Sequence, residues 1–247
     1  MRRRHAGIML GGVLLAPLAK GSDWRNVQLL AGELPPFTTS REGEFPGALG
    51  ELVLALSRAV GGPSTLQILP WVRAQRQVQQ QGRCLILPMT RTPERELQYR
   101  WMVKLYRQRF VLIAKRDSSQ PLNDLDAMRS RRVVVMRGSP NALQLHAMHF
   151  TQVIEANSVE DMARMLDKSI VDAIYGGDVI NLRVLAGLGL PASKLALGGE
   201  LEHGDVWLAG SLDFSESDAL SWRDAMERLV RDGSYARILR KYGLSSD

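Results

Sequence analysis

Residues 132–141 have the sequence RVVVMRGSPN, and this stretch decides the expected fold. Three valines and a methionine in succession are typical of a short strand that is buried on both faces. Gly138 then marks a turn, and Ser139 and Pro140 are residue types preferred at a helix N-cap and at the first helical position. The stretch therefore predicts a strand that leads through a turn into a helix, the repeating unit of α/β folds.

The same alternation extends through most of the chain. Helical patterns follow Gly47, span Trp71–Gln81, begin again at Ser158 and cover most of Asp218–Tyr242. Between them lie eight strand-like runs: Val27–Ala31, Leu66–Leu69, Cys84–Leu87, Val103–Lys115, Val133–Met136, Gln152–Glu155, Asp172–Tyr175 and Asp205–Ala209. Repeated βα units predict an α/β fold with parallel strands.

Composition and charge indicate a globular chain without a nucleic-acid partner. The 247 residues are 45% hydrophobic and 23% charged, which excludes disordered and collagen-like proteins. Four basic residues and no acid lie in the first 21 residues, and the remainder has 28 basic against 26 acidic residues. A net charge of +2 gives little attraction for a polyanion.

The cysteine and histidine content argues against a cofactor or metal site. One cysteine, Cys84, excludes an intrachain disulfide and a thiolate cluster, and four histidines are too few for a His-rich site. No catalytic triad, P-loop or metal motif is present in the sequence. Cys84 lies in an apolar run, which predicts a buried, inert thiol.

The first 21 residues have the pattern of a secretory signal peptide. Three arginines follow Met1, an apolar run spans Ile8–Ala19, and small residues flank Lys20. This run is shorter than the ~20 residues that a spanning helix needs. We predict cleavage after Gly21, or alternatively after Ala19, and a periplasmic mature chain that does not span the membrane. A membrane anchor or a buried helix is the alternative interpretation.

The segments that follow the predicted strands have the composition of a site for a small polar ligand. Ligands of such folds lie beyond the carboxyl ends of the strands. We select nine ligand-binding candidates there: Phe37, Trp71, Arg73, Thr90, Arg95, Ser139, Asn141, Tyr175 and Asp178. Residues 90–95, TRTPER, hold two guanidinium groups, which bind carboxylates through paired hydrogen bonds. A solvated loop is the alternative there, and a core position is the alternative for Phe37 and Trp71.

The order of these motifs resembles the bacterial extracellular solute-binding proteins of family 3, the polar amino-acid-binding proteins of ABC importers. The similarity covers nearly the whole chain after residue 21. Its motifs are LPPF at 34–37, GEL at 50–52, MTRTPER at 89–95, RVVVMRGS at 132–139 and DGSYARILRKYG at 232–243. The resemblance implies an α/β, two-lobed periplasmic-binding-protein fold (type II), in which two crossing strands join the lobes and the lobes close on the ligand.

The resemblance also implies roles for residues and a partner. Arg95 would bind a ligand carboxylate, with Thr90 as its hydroxyl partner. Phe37 would pack on the ligand, and Ser139 would reach it from the second lobe. The implied partner is an ABC permease, and we expect a monomer that binds a small molecule.

Three positions depart from the family pattern and leave the ligand open between an α-amino acid and another carboxylate. The family's acid for the ligand amine falls at Gly177, with Asp178 one position later. Pro140 replaces a frequent Ser or Thr, which removes a hydroxyl and an amide. Arg73 lies where many amino-acid binders have no ligating arginine. These differences indicate a divergent branch.

The lobes are expected to be discontinuous in sequence. Two strand-like crossings, Phe110–Lys115 and Asp205–Ala209, bracket a middle segment rich in βαβ units. We therefore predict that residues 24–112 and 205–247 form lobe one and that residues 113–204 form lobe two.

We predict a binding protein rather than an enzyme, and two alternatives stay open. One is a periplasmic enzyme on the same fold, because the family resembles cyclohexadienyl dehydratases. Such an enzyme needs a positioned acid or base, and Glu42, Glu44 and Glu94 are the nearby carboxylates without a spacing that selects one. The other is an accessory protein that senses a ligand.

Overall fold

Every predicted strand overlaps a strand of the structure, a computed structural model that describes Trp24 and residues 26–245. The predicted signal peptide lies outside these residues. The strands are β1 (Gln28–Gly32), β2 (Leu66–Leu69), β3 (Cys84–Thr90), β4 (Arg100–Lys115), β5 (Arg132–Met136), β6 (Gln152–Ala156), β7 (Ala173–Gly177) and β8 (Leu195–Gly210).

Eight α-helices connect or follow these strands within the described residues. They are α1 (Ala48–Val60), α2 (Trp71–Gln80), α3 (Leu125–Met128), α4 (Asn141–Ala147), α5 (Val159–Asp167), α6 (Asp178–Gly187), α7 (Glu216–Arg231) and α8 (Ser234–Lys241). None of the helices in this part of the chain is long and apolar enough to span a membrane.

The strands pair in the order β2-β1-β3-β8-β4-β7-β5-β6. β1 pairs in parallel with β2 and β3 at one end of this order, and β5 pairs in parallel with β6 and β7 at the other. The long strands β4 and β8 run antiparallel to each other between the two ends. The sheet is therefore mixed, which corrects the expectation of parallel strands, and β4 and β8 are the crossing strands that join two lobes.

Strand alternation divides the apolar residues of β5 between two cores. Val134 and Met136 pack in the larger core, whereas Val133 and Val135 pack in a smaller one with Tyr175. Neighbouring side chains on a strand point to opposite faces, so helices on both sides of the sheet must cover it. This confirms that the stretch at 132–136 is a strand buried on both faces.

Aromatic contacts bring the two ends of the described chain together. The Trp24 ring stacks on Phe214, with 5.7 Å between ring centroids, and meets Trp222 edge-on at 5.7 Å. Phe214 and Trp222 lie in or beside α7, which follows the second crossing strand. These contacts support a discontinuous lobe one, and the boundaries at 112/113 and 204/205 stay predictions.

Two elements differ from the sequence expectation. β8 begins at Leu195, ten residues before the predicted Asp205, because residues 195–204 (LALGGELEHG) mix glycine and charge without a two-residue alternation. Pairing with β4 from Lys115↔Leu195 onward keeps this segment extended. α6 has no predicted counterpart, since its apolar residues are not confined to one side of the helix.

Cys84 provides a direct test of the packing of β3. Its side chain is fully buried, and burial raises the pKa of its thiol, so the reactive thiolate is scarce near neutral pH. We expect a thiol reagent to label the native protein at least ~100-fold more slowly than the protein unfolded in guanidinium chloride. As the sequence has one cysteine, the absorbance of the released thiol dye reports Cys84 alone. Equal labelling rates would contradict the buried position.

Candidate functional site

A cleft lies between the lobes, where β1, β3 and β7 end. The empty space between its walls is about 560 Å³ when the open solvent at its edge is included. Six of the nine candidate residues line it: Phe37, Trp71, Thr90, Arg95, Ser139 and Asn141. The strand exits thus converge on one site, as expected for this class of fold.

Arg95 brings a positive charge into the cleft. It ends a short 3₁₀ turn, Pro93–Arg95, that follows β3. Its Nη1 donates to the Thr90 carbonyl oxygen at 3.0 Å, and its Nη2 donates to the Gly138 carbonyl oxygen at 2.7 Å. Burial lowers the pKa of the guanidinium, although an arginine keeps its charge in proteins. No carboxylate of the described residues forms an ion pair with Arg95, so its charge is available to an anion.

Thr90 positions Arg95 through its backbone. The bond to the Thr90 carbonyl ties the guanidinium to the last residue of β3, which holds it at the cleft floor. The hydroxyl role that the family resemblance implies for Thr90 stays a prediction.

Three buried amide side chains form the other polar part of the lining: Gln108, Asn141 and Asn181. Asn141 Nδ2 donates to the Tyr175 carbonyl oxygen at 3.3 Å, and Asn181 Nδ2 donates to the Gly177 carbonyl oxygen at 2.9 Å. Because a carbonyl accepts only from the amide nitrogen, these bonds fix each Oδ1 on the opposite side. Both Oδ1 atoms and Gln108 Oε1 lack a partner among the described residues. The site therefore offers uncharged acceptors.

The sequence interpretation did not select Gln108 or Asn181. Asn181 lies one helical turn after residues 175–178, where β7 ends. A search that included one helical turn after each strand would have found it. Gln108 lies in the middle of β4, where no turn or cap marks it. Its position follows only from the pairing of β4 with β7 and β8.

Phe37 and Trp71 belong both to the core and to the cleft wall. Phe37 is fully buried and meets Tyr106 edge-on, with 5.2 Å between centroids. Trp71 begins α2, and its Nε1 donates to the Gly138 carbonyl oxygen at 3.2 Å. Both residues are therefore core positions, as one sequence alternative has it, and both also line the cleft; their contact with a ligand stays a prediction.

The two lobes are in contact across the cleft. The Gly138 carbonyl oxygen of lobe two accepts hydrogen bonds from Trp71, Gln75 and Arg95 of lobe one, at 3.2, 2.9 and 2.7 Å. Gly138 has φ +76°, a conformation that glycine adopts without strain, and this turn presents its carbonyl to α2. Further ion pairs join the lobes at 2.9 Å each: Arg41–Glu160 and Glu44–Arg183. Arg95 is therefore part of both the cleft floor and the closing contact.

Ser139 lies one position before the N-cap of α4, which is Pro140 and has no side-chain capping bond, so the predicted N-cap and first helical position are each one residue too early. Its Oγ accepts a hydrogen bond from the Asn141 amide at 3.3 Å and donates to the Met136 carbonyl oxygen at 2.6 Å. The helix α4 begins at Asn141, so Pro140 lies just before it. This turn directs the Asn141 side chain into the cleft.

Three candidates lie outside the cleft. The Tyr175 ring packs in the smaller core, and its hydroxyl donates to Gln144 Oε1 at 3.4 Å, since its strand position points away from the ligand side. Asp178 Oδ2 accepts two bonds from Arg109, at 2.9 and 2.6 Å, in a separate pocket behind the cleft. Arg73 is exposed, because a residue two positions after Trp71 lies on the opposite side of α2.

Arg91 shows where the solvated-loop interpretation is correct. Its guanidinium lies over the rings of Trp207 and Trp101, at 4.7 and 5.3 Å from their centroids, and binds Glu96 through Nε and Nη2. The two arginines of the 90–95 loop therefore have different surroundings. Arg91 is neutralised at the surface, and Arg95 faces the cleft.

Metal ligands are not clustered in this part of the molecule. Within Trp24 and residues 26–245, no group of three or more His, Cys, Asp or Glu side chains lies close enough to hold a metal ion.

Comparison with known sequences identifies one family. The profile described as bacterial extracellular solute-binding proteins, family 3, matches residues 29–245. No curated protein matches the chain.

Solved structures share the fold at low sequence identity. A histidine kinase sensor domain with similarity to periplasmic binding proteins has a TM-score of 0.81, 17% identity and coverage of 91% of this chain and all of that one. A histidine-bound ABC uptake transporter substrate-binding protein from Streptococcus pneumoniae has a TM-score of 0.77, 14% identity and coverage of 89% and 95%. An ancestral amino acid-binding protein, a precursor of cyclohexadienyl dehydratase, has a TM-score of 0.73 and 15% identity, and the match covers 87% of this chain and 94% of that one. These similarities confirm the two-lobed fold.

Proposed function

Because the chain belongs to the bacterial extracellular solute-binding proteins of family 3, we propose that it captures a small carboxylate-bearing ligand in the cleft between its lobes. We propose further that the mature protein is periplasmic and monomeric and passes the ligand to an ABC permease. The signal-like residues 1–21 and the similarity to a transporter's substrate-binding protein support this assignment.

The observation that carries the proposal is the unneutralised guanidinium of Arg95. A partly buried charge without an ion-pair partner is costly, and a ligand carboxylate would supply the missing negative charge. The guanidinium retains further N–H groups beside the two that bind carbonyl oxygens, so it can form a paired contact with a carboxylate. Capture would also strengthen closure, because the same side chain binds Gly138 of lobe two.

A ligand-sensing role is the second candidate, and the similarity to a histidine kinase sensor domain favours it. It uses the same cleft and differs only in the partner that detects closure. An enzyme on this fold is supported less well. The described residues that line the cleft include no Asp, Glu, His, Lys, Cys or Tyr that could transfer a proton. Of the carboxylates near the loops, Glu44 is paired with Arg183.

A thermal-shift screen of purified mature protein tests this proposal. We use small monocarboxylates, amino acids and polyamines, and expect carboxylates alone to raise the melting temperature. At a hundredfold excess over Kd a ligand stabilises by ~2.7 kcal/mol, or about 5–11 °C for a chain of this size. Stabilisation by polyamines without carboxylates would contradict the proposal. Chromatography after incubation with prephenate or arogenate tests the enzyme alternative, which turnover would establish.

A further inference from the structure

We infer that the ligand is a monocarboxylate whose remaining polar groups are uncharged donors, as in a 2-hydroxy acid, rather than a zwitterionic amino acid. The inference rests on the proposed function and deepens it, because it concerns the ligand class of the same cleft.

The charge of the lining carries the first step. Among the described residues that line the cleft, Arg95 alone is charged. One carboxylate neutralises it. A zwitterion brings the same carboxylate together with an ammonium group, which would enter a half-buried site without a counter-charge. Burying an ammonium in that way costs far more than burying a hydroxyl that finds an acceptor.

Asp178 and Glu202 line neighbouring pockets and are not part of the cleft lining. Both oxygens of Asp178 accept hydrogen bonds, Oδ2 from Arg109 and Oδ1 from the Val179 amide at 2.8 Å. Glu202 keeps one buried oxygen, Oε2, without a hydrogen-bond partner, but its side chain lines the neighbouring groove with Thr92 and Gln144. A shifted amine could use Glu202, and the experiment therefore includes it.

The acceptors inside the cleft match a neutral donor. The Oδ1 atoms of Asn141 and Asn181 and Oε1 of Gln108 are buried and unpartnered in the described structure, and their residues are 4%, 3% and 7% exposed. The backbone bonds of the two asparagines fix the orientation of their amides, and all three residues line the cleft. A ligand hydroxyl or amide N–H donates to such an oxygen and removes an unsatisfied acceptor from the interior.

Most of the remaining lining is apolar, and it sets the body of the ligand. Leu34, Phe37, Met136, Met162 and Ile180 contribute carbon surface. An aliphatic or aromatic side chain fills such a space. The class is therefore an apolar 2-hydroxy acid, whose carboxylate meets Arg95 and whose hydroxyl meets an amide oxygen.

Matched ligand pairs test the inference by calorimetric titration of the mature protein. Each pair has the same side chain and differs only at the 2-position: L-phenyllactate with L-phenylalanine, and L-2-hydroxy-4-methylpentanoate with L-leucine. We expect the hydroxy acid to bind at least ~10-fold more tightly in at least one pair. An amino acid that binds as tightly as its hydroxy acid or more so overturns the inference and leaves the proposed function intact. No binding by any of the four overturns the inference, whereas the thermal-shift screen of carboxylates decides the proposed function.

Charge variants locate the cause of the preference. Gln108→Glu places a carboxylate at the buried acceptor. We expect it to change the ratio of the Kd of the amino acid to the Kd of its hydroxy acid ~10-fold, in favour of the amino acid. The matched control Gln80→Glu makes the same change at an exposed site on α2 and should leave the ratio unchanged. Glu202→Gln should also leave it unchanged. A loss of amino-acid binding in Glu202→Gln would assign the amine site to Glu202 and overturn the inference.

Discussion

Arg95→Ala is expected to weaken binding of the ligand that the screen identifies by about 2–5 kcal/mol, or ~30- to 5,000-fold in Kd. The guanidinium is the sole charge among the described lining residues, and it is held by carbonyl oxygens of Thr90 and Gly138 rather than by an acid. Its removal leaves the ligand carboxylate in a closed cleft without a cation. Calorimetric titration measures the loss.

Arg95→Lys distinguishes a paired contact from simple charge attraction. An ammonium retains the charge but lacks the planar set of donors, so we expect it to recover only part of the affinity. Arg91→Ala is the matched control in the same loop, because Arg91 is bound to Glu96 outside the cleft and should not change affinity. Unchanged affinity in both Arg95 variants, with the fold intact, would remove Arg95 from the site.

Closure and ligand contact are separable at Gly138. Arg95 donates to its carbonyl oxygen, and Gln75 donates to the same atom without carrying a charge. Gln75→Ala therefore removes a closing hydrogen bond and leaves the cation. If Arg95 acted only by holding the lobes together, the two alanine variants would lose similar affinity. The direct carboxylate contact requires that Arg95→Ala lose much more.

The strands could be predicted because their apolar runs are local signals. Val133–Met136 is apolar at every position, as a strand covered on both faces requires, and it lies in β5. The first half of β8, residues 195–204, has no such signal. It is extended because β4 pairs with it along the crossing, and a partner about ninety residues earlier in the sequence is not visible in a local pattern.

The site was predictable to the extent that turns mark it. Thr90 is the last residue of β3 and Arg95 lies in the turn after it, so the rule that ligands lie at strand ends selects them. That rule does not give the direction of a side chain, and it therefore also selected Tyr175 and Asp178. Strand alternation turns Tyr175 into the smaller core, and its position at the start of α6 turns Asp178 into another pocket. To predict that Gln108 lines the cleft, one needs the register of β4 against its neighbours, and that register depends on the complete sheet.

Helix α7 contributes Trp222, the largest fully buried side chain among the described residues, to the core of lobe one. Its ring meets Trp24 edge-on, so one residue links the beginning of the described chain to the segment after the second crossing strand. Helix α7 also packs on β4 and α1. If residues 24–112 and 205–247 form one lobe, the stability of that lobe depends on this contact.

Trp222→Ala is accordingly expected to lower the free energy of unfolding by about 3–5 kcal/mol, because the large ring is fully buried and its neighbours refill the cavity only in part. For a chain of this size the melting temperature should fall by about 6–20 °C. Leu220→Ala is the control on the same helix: its side chain is 50% exposed, and its replacement should change stability by less than ~0.5 kcal/mol. Circular dichroism during urea unfolding compares the two. Equal stabilities would show that α7 does not anchor lobe one and would contradict the discontinuous lobe.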